Sequence, residues 1–161
     1  MHQRIALLLA VAALAACSSV PLDSPQLPPP ATEASRVEDA AGGASGASSL
    51  AAYKVDLAKR IAQANPIQVF GGRPQALLRS VVVVKYQVDA NGRLLGSNIL
   101  RSNHDRVTEN TALAALRKAA PFPRPAAYLL RHGQVEVLET WLFNNDGRFQ
   151  LRTIAEAQSN E

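Results

Sequence analysis

The sequence has few of the residues from which disulfide, metal and catalytic frameworks are built. One cysteine, Cys17, occurs in 161 residues, so no disulfide can form within the chain and the fold must be held by its core. Aromatic residues make up 5%, too few for the dense stacking platform of a single-strand nucleic-acid binder. The formal charge is +4, yet Arg and Lys are scattered without a run of three, and the basic stripe of a nucleic-acid protein is missing. HExxH, GxSxG, GxxxxGK[ST] and paired-cysteine metal motifs are all absent. No cofactor, metal or nucleic acid is therefore expected. The apolar run from Ile5 to Leu14, even with the small residues up to Cys17, is too short for a bilayer span, which takes about 20 residues.

Chemistry by isolated side chains is equally thin. Past the leader the histidines are His104 and His132. Asp105 beside His104 has the makings of a dyad, but Ser102-Asn103-His104-Asp105 stands where a strand must pass into a helix and reads as a capping turn. Asp89, Asp105 and Asp146 all occupy turn positions, where a carboxylate hydrogen-bonds backbone. The sequence is not expected to encode an enzyme.

Residues 1–16 read as a cleavable leader, with His2 and Arg4 ahead of the apolar run and small residues up to Cys17. Leu14-Ala15-Ala16-Cys17 resembles the bacterial lipobox. That resemblance implies cleavage before Cys17, lipidation of its thiol and a membrane anchor made of buried acyl chains. Ser18 follows the cysteine where aspartate would signal inner-membrane retention, which implies the outer membrane, facing the periplasm. Residues 17–49, rich in Ser, Pro, Ala and Gly, read as a flexible linker whose ends lie about 30 Å apart on average.

With 47% apolar residues there is material for one domain, expected over residues 50–153 and followed by a polar tail at 154–161. Its centre is Ser80 to Leu100. Val82, Val84, Tyr86 and Val88 alternate with Val83, Lys85, Gln87 and Asp89, the period of a strand buried on one face. Ala90-Asn91-Gly92 turns the chain into a second strand, with a bulge expected at Gly96-Ser97-Asn98. On either side lie two amphipathic helices. One runs from Leu50 to Asn65 with Leu50, Tyr53, Leu57, Ile61 and Ala64 on its apolar face, capped by Ser48 or Ser49 and stopped by Pro66, after which Pro66 to Arg79, with Gly71-Gly72 and Pro74, reads as a connecting loop. The other runs from Val107 to Ala120, with Val107, Leu113, Ala114, Leu116 and Ala120 on its face and Thr108 or Asp105 as cap, stopped by Pro121-Phe122-Pro123-Arg124-Pro125. Gln134 to Phe143 reads as a third strand in which Val135, Val137, Trp141 and Phe143 share one parity and Glu139 interrupts it. Asn145-Asp146-Gly147 then turns the chain into Arg148–Arg152.

The order helix, hairpin, helix, strand comes with marker residues: Val88-Asp89 through Asn91-Gly92-Arg93, Arg101-Ser102-Asn103, Ala112-Leu113-Ala114-Ala115-Leu116-Arg117, and above all Ala119-Ala120-Pro121-Phe122-Pro123-Arg124-Pro125. Together they resemble the C-terminal domain of the TonB and TolA energy-transducer family over about Leu50 to Phe143. The resemblance implies an α+β fold, a small antiparallel or mixed sheet of three to four strands packed by two helices. It implies binding of envelope or outer-membrane transport proteins by strand addition, along an edge formed by Val135, Val137, Glu139, Trp141 and Phe143. If Arg148 to Arg152 pairs with that strand, the edge is occupied and a partner must use another or displace it. A cleavable leader in place of the family's uncleaved N-terminal helix implies binding without energy transduction. The alternative is a TolA-like or orphan structural lipoprotein for envelope integrity, whose domain dimerises or caps an assembly.

Overall fold

Two hairpin turns set the sheet. The computed structural model describes residues 42–157, in which Ser80–Asp89 forms β1 and Leu94–Arg101 forms β2. Of the turn residues between them, Gly92 alone has positive φ, +81°. Its N–H donates to the Asp89 carbonyl at 3.1 Å while the Asp89 N–H donates to the Arg93 carbonyl at 3.0 Å. This is a type I turn closed by a left-handed glycine, so the turn lies where Asn91-Gly92 places it but uses the left-handed tolerance of the glycine alone. Asp89 Oδ1 accepts the N–H groups of Asn91 and Arg93, both at 2.8 Å. The second hairpin repeats the device: β3, Gln134–Phe143, turns through Gly147, φ +82°, into β4, Phe149–Leu151. There the Asp146 carboxylate takes the Arg148 N–H at 2.9 Å and its Nε at 2.7 Å.

The four strands are antiparallel in the order β2-β1-β3-β4. Helices α1, Leu50–Ala64, and α2, Arg106–Ala119, pack against them, giving the α+β fold expected from sequence. Alternation buries Val82, Val84, Tyr86 and Val88 of β1 against Val135, Val137, Trp141 and Phe143 of β3. Tyr53, Leu57, Ala58 and Ile61 of α1 meet that face, as do Ala112, Ala115, Leu116 and Ala119 of α2. Ser49 Oγ caps α1 through the Ala52 N–H at 3.1 Å. Asp105 caps α2, accepting the N–H groups of Val107 at 3.0 Å and Thr108 at 3.3 Å. Val107 and Leu50, expected on the apolar faces, stand in first turns beyond the packed stripe and are 62% and 45% exposed.

Four details depart from the sequence reading. The β1–β2 register shifts twice, at Leu95 and at Leu100, so bulges flank Gly96-Ser97-Asn98 instead of falling within it. Residues 43–45, read as linker, dock on the domain: the Ser45 N–H donates to the Arg124 carbonyl at 2.9 Å and the Arg124 N–H to the Gly43 carbonyl at 3.0 Å. Gln68–Phe70, read as loop, runs parallel to β4, with the Phe149 N–H on the Gln68 carbonyl at 2.8 Å and the Phe70 N–H on the Phe149 carbonyl at 2.9 Å. Residues 155–157, read as tail, line the walls of two surface grooves. The leader, Cys17 and residues 18–41 lie outside the described residues.

The segment after α2 locks the layers together. Phe122 is fully buried and stacks on Tyr86 with ring centroids 6.0 Å apart. Its N–H donates to the Gly92 carbonyl at 2.8 Å. Tyr53 Oη donates to the Pro123 carbonyl at 2.8 Å and Arg60 Nε to the Ala119 carbonyl at 3.0 Å, which ties α1 to the same segment. A Cβ at Gly92 would sit 2.0 Å from the Phe122 carbonyl oxygen, so both the positive φ and the close approach require glycine.

Urea unfolding followed by circular dichroism checks this core. Phe122→Ala and Trp141→Ala should each cost about 3–5 kcal/mol. Gly92→Ala should exceed the roughly 1–2 kcal/mol of a left-handed alanine, because the displaced Phe122 backbone adds to it. Lys85→Ala, on the opposite face, should stay within about 0.5 kcal/mol.

Candidate functional site

In an antiparallel strand, side-chain direction and backbone hydrogen-bond direction both alternate with period two. On β3 the residues of one parity, Val135, Val137, Glu139, Trp141 and Phe143, turn their side chains toward the helices. Their backbone groups face β1, as the bond from the Arg79 N–H to the Phe143 carbonyl at 2.9 Å shows at the strand's end. Residues of the other parity face β4: the Arg152 N–H donates to the Thr140 carbonyl at 2.9 Å. The expected edge residues are therefore core residues, and the backbone of β3 that faces away from β1 belongs to Gln134, Glu136, Leu138, Thr140 and Leu142.

Much of that outer side is already occupied. β4 pairs with Trp141 through Phe143, and Arg152 takes Thr140. At the other end Gln134 exchanges hydrogen bonds with Arg131, at 2.8 and 3.2 Å. Between these, Glu136 and Leu138 are left facing outward with no strand beside them among the described residues. Glu136 is held on the outer sheet face by Lys85 Nζ at 3.4 Å and Gln87 Nε2 at 3.4 Å, and Leu138 is 46% exposed. A cleft of about 390 Å³ opens at the Gln134 end, lined by Leu50, Tyr128, Leu129, Arg131, His132 and Val135 among others. The 3₁₀ turn Ala127–Leu129 presents Tyr128 and Leu129 to it. The opposite sheet edge, β2, has no strand beyond it among the described residues, but its two bulges break the regular spacing of N–H and C=O groups that an added strand needs.

Among the described residues Glu139 is the one carboxylate in the apolar stripe that the strands turn toward the helices. It is 3% exposed, and its Oε1 accepts the Thr140 N–H at 2.7 Å and the Thr153 N–H at 3.3 Å. Burial pushes this carboxyl above its ordinary value, against hydrogen bonds from Thr153 and Thr140 and the nearby charge of Lys54. Burial first, then the Glu139 charge, pushes the Tyr86 hydroxyl up as well. The Asp105 carboxylate is engaged by the α2 cap and by Arg79 Nε at 2.8 Å, and Ser102 Oγ donates to Glu109 instead of toward His104. Among the described residues no group of three or more His, Cys, Asp or Glu is placed to hold a metal ion, and no helix is long and apolar enough to cross a membrane. The sequence reading assigned the edge to the core parity, and so left Glu136 as an outer-face position and passed over Leu138. The same alternation marks them once the neighbours of β3 are known.

In comparisons with known proteins, no family model, curated protein or solved structure matches the chain.

The buried carboxyl gives a pH signature. A carboxyl whose folded value lies above its unfolded one contributes stability that is fully present below the unfolded value, near 4.5, and lost as pH rises through the folded value. Glu139→Gln keeps the acceptor oxygen and removes the charge. The difference in stability between variant and parent should grow in the variant's favour from pH 4.5 toward neutrality, measured by urea unfolding across that range. A constant difference would show that burial does not govern Glu139.

Proposed function

We propose that this protein is a lipid-anchored binding module of the cell envelope, which takes up an extended segment of an envelope or outer-membrane transport protein as an added strand on the open stretch of β3. The observation that carries this reading is the gap at Glu136–Leu138. It is a short run of strand backbone bounded by β4 on one side and Arg131 on the other, with a cleft beside it able to receive a side chain. Strand addition supplies affinity through main-chain hydrogen bonds and specificity through alternate side chains. A partner residue with its side chain on the core side would meet Leu129, Val135 and Tyr128, and one on the outer side would meet Leu138 and the Lys85–Glu136 pair.

The anchor rests on Leu14-Ala15-Ala16-Cys17, with lipidation at Cys17, cleavage of residues 1–16 and tethering of the domain on the Ser/Pro/Ala/Gly-rich segment. The location is the periplasmic face of the outer membrane. Binding on a passive lipid tether implies no energy transduction, and nothing in this mechanism requires a cofactor. The covering of most of the β3 edge by β4, Arg152 and Arg131 favours a second reading, a TolA-like structural lipoprotein that supports envelope integrity or pairs as a homodimer.

A photo-crosslinking amino acid placed at Glu136 or Leu138 in cells should capture a transport protein, and one at Asn98 on β2 should not. Leu138→Pro removes an N–H on the open side without touching the β1 ladder, so it should leave the domain folded and abolish the capture. Products made of the chain itself or of structural envelope proteins would select the second reading. Capture from Asn98 with none from Leu138 would overturn the β3 site. Cys17→Ser should release the protein from the membrane fraction in the same cells.

A further inference from the structure

The face of the sheet turned away from the helices carries a built groove that the strand edge does not use. One row across the strands joins Arg101 of β2, Val83 of β1, Thr140 of β3 and Arg152 just past β4. Strand spacings of about 4.8 Å put the two arginine Cα atoms about 14 Å apart, with the valine and threonine between them. The next row is apolar, Val81 opposite Leu142. Pro74 and Leu78 wall that end, and Ala155–Ala157 wall the side beneath Arg152, enclosing about 610 Å³, within the range of ligand sites.

The charges in and around this groove are unevenly satisfied. Lys85 pairs with Glu136, Arg79 with Asp105, Arg93 with Asp89 and Arg148 with Asp146. Glu156, the carboxylate on the groove wall, lies 3.8 Å from Arg73. Neither Arg101 nor Arg152 has an ion-pair partner among the described residues. Two guanidinium groups without an ion-pair partner among the described residues thus flank one threonine hydroxyl at the polar end of an apolar trough. A sheet face offers side chains and no free backbone groups, so an extended peptide lying there would leave its own amides without partners.

We propose that this groove binds a single-chain amphiphilic carboxylate, a fatty acid. Its chain lies along Val81, Leu142 and Leu78, and its head sits between Arg101 and Arg152 beside the Thr140 hydroxyl, where guanidinium groups bind carboxylate as charge-assisted pairs. The site uses side chains in rows further along the outer face, where the proposed strand edge uses the backbone of Glu136 and Leu138, and it stands whether or not that edge binds a partner.

The test uses the full chain and sodium dodecanoate below its micelle concentration, followed by calorimetry and amide chemical shifts. Saturable binding is expected, with shifts concentrated at Val81, Val83, Thr140 and Leu142. The double variant Arg101→Gln/Arg152→Gln should weaken it by about tenfold or more. Val83→Glu, which keeps both arginines and puts a negative charge between them, should weaken it comparably, and Lys118→Gln on α2 should not. Butyrate, with the head and no chain, should not saturate. Equal binding of dodecyltrimethylammonium would overturn the proposal, as would unchanged dodecanoate affinity in folded double variant. So would groove shifts that follow protein concentration without ligand, which would assign the face to a second copy, or tighter binding of an acidic peptide than of dodecanoate.

Discussion

The contact on which the rest of the structure depends is between the Gly92 turn and the backbone of Phe122. The hairpin can reach the segment after α2 only because Gly92 has no Cβ, and the segment stays there because Phe122 fills the space over Tyr86 while its N–H closes on the Gly92 carbonyl. Tyr53 and Arg60 then bind α1 to the same few carbonyls, and residues 43–45 lie alongside Arg124. One proline-punctuated loop thereby joins both helices, the central hairpin and the chain entering the domain. Without a disulfide, this convergence does the work of a covalent staple in a small core.

The sheet uses its four strands unequally. β1 is paired along its whole length with β3 in unbroken register and from Val83 to Val88 with β2, which is why its alternation is so clear: one face must be apolar and the β1–β3 ladder admits no slip. β2 ends the sheet on one side with two bulges, and Gln68–Phe70 covers β4 on the other. On β3, what remains open among the described residues is the short interval at Glu136 and Leu138. Strand addition to β3, as proposed, would be confined to that stretch. Glu139 lies one residue further along the same strand, with its charge on the core side. A carboxylate there is held by backbone N–H groups at an energetic cost, and it interrupts what would otherwise be an unbroken apolar stripe.

The outer sheet face and the strand edge obey different physics. At the edge the available groups are main-chain donors and acceptors, which fit any extended segment and leave specificity to the flanking cleft. On the face the groups are side chains in rows, and the row of Arg101, Val83, Thr140 and Arg152 combines charge that has no ion-pair partner among the described residues with an apolar floor. Both surfaces draw on the same parity of β3, but at different places along it: Glu136 and Leu138 at the open edge, Thr140 and Leu142 in the groove.

Sequence alone determined the elements and their class. Alternation placed β1 and β3, the glycine turns placed both hairpins, and proline placed the helix ends, because each is a local constraint on φ, ψ or burial that neighbouring residues express. It also singled out Phe122 and the exception at Glu139. Only the tertiary structure decided which backbone of β3 is exposed. That depends on how far β4 and Arg152 extend along it and on Arg131 folding back, contacts between segments whose pairing no local pattern specifies. The same holds for the bulges at Leu95 and Leu100, for the docking of residues 43–45 and 68–70, and for the meeting of Arg101 with Arg152. Those two residues stand fifty-one positions apart, as their numbers show, and become neighbours in one groove only when two hairpins lie side by side in one register.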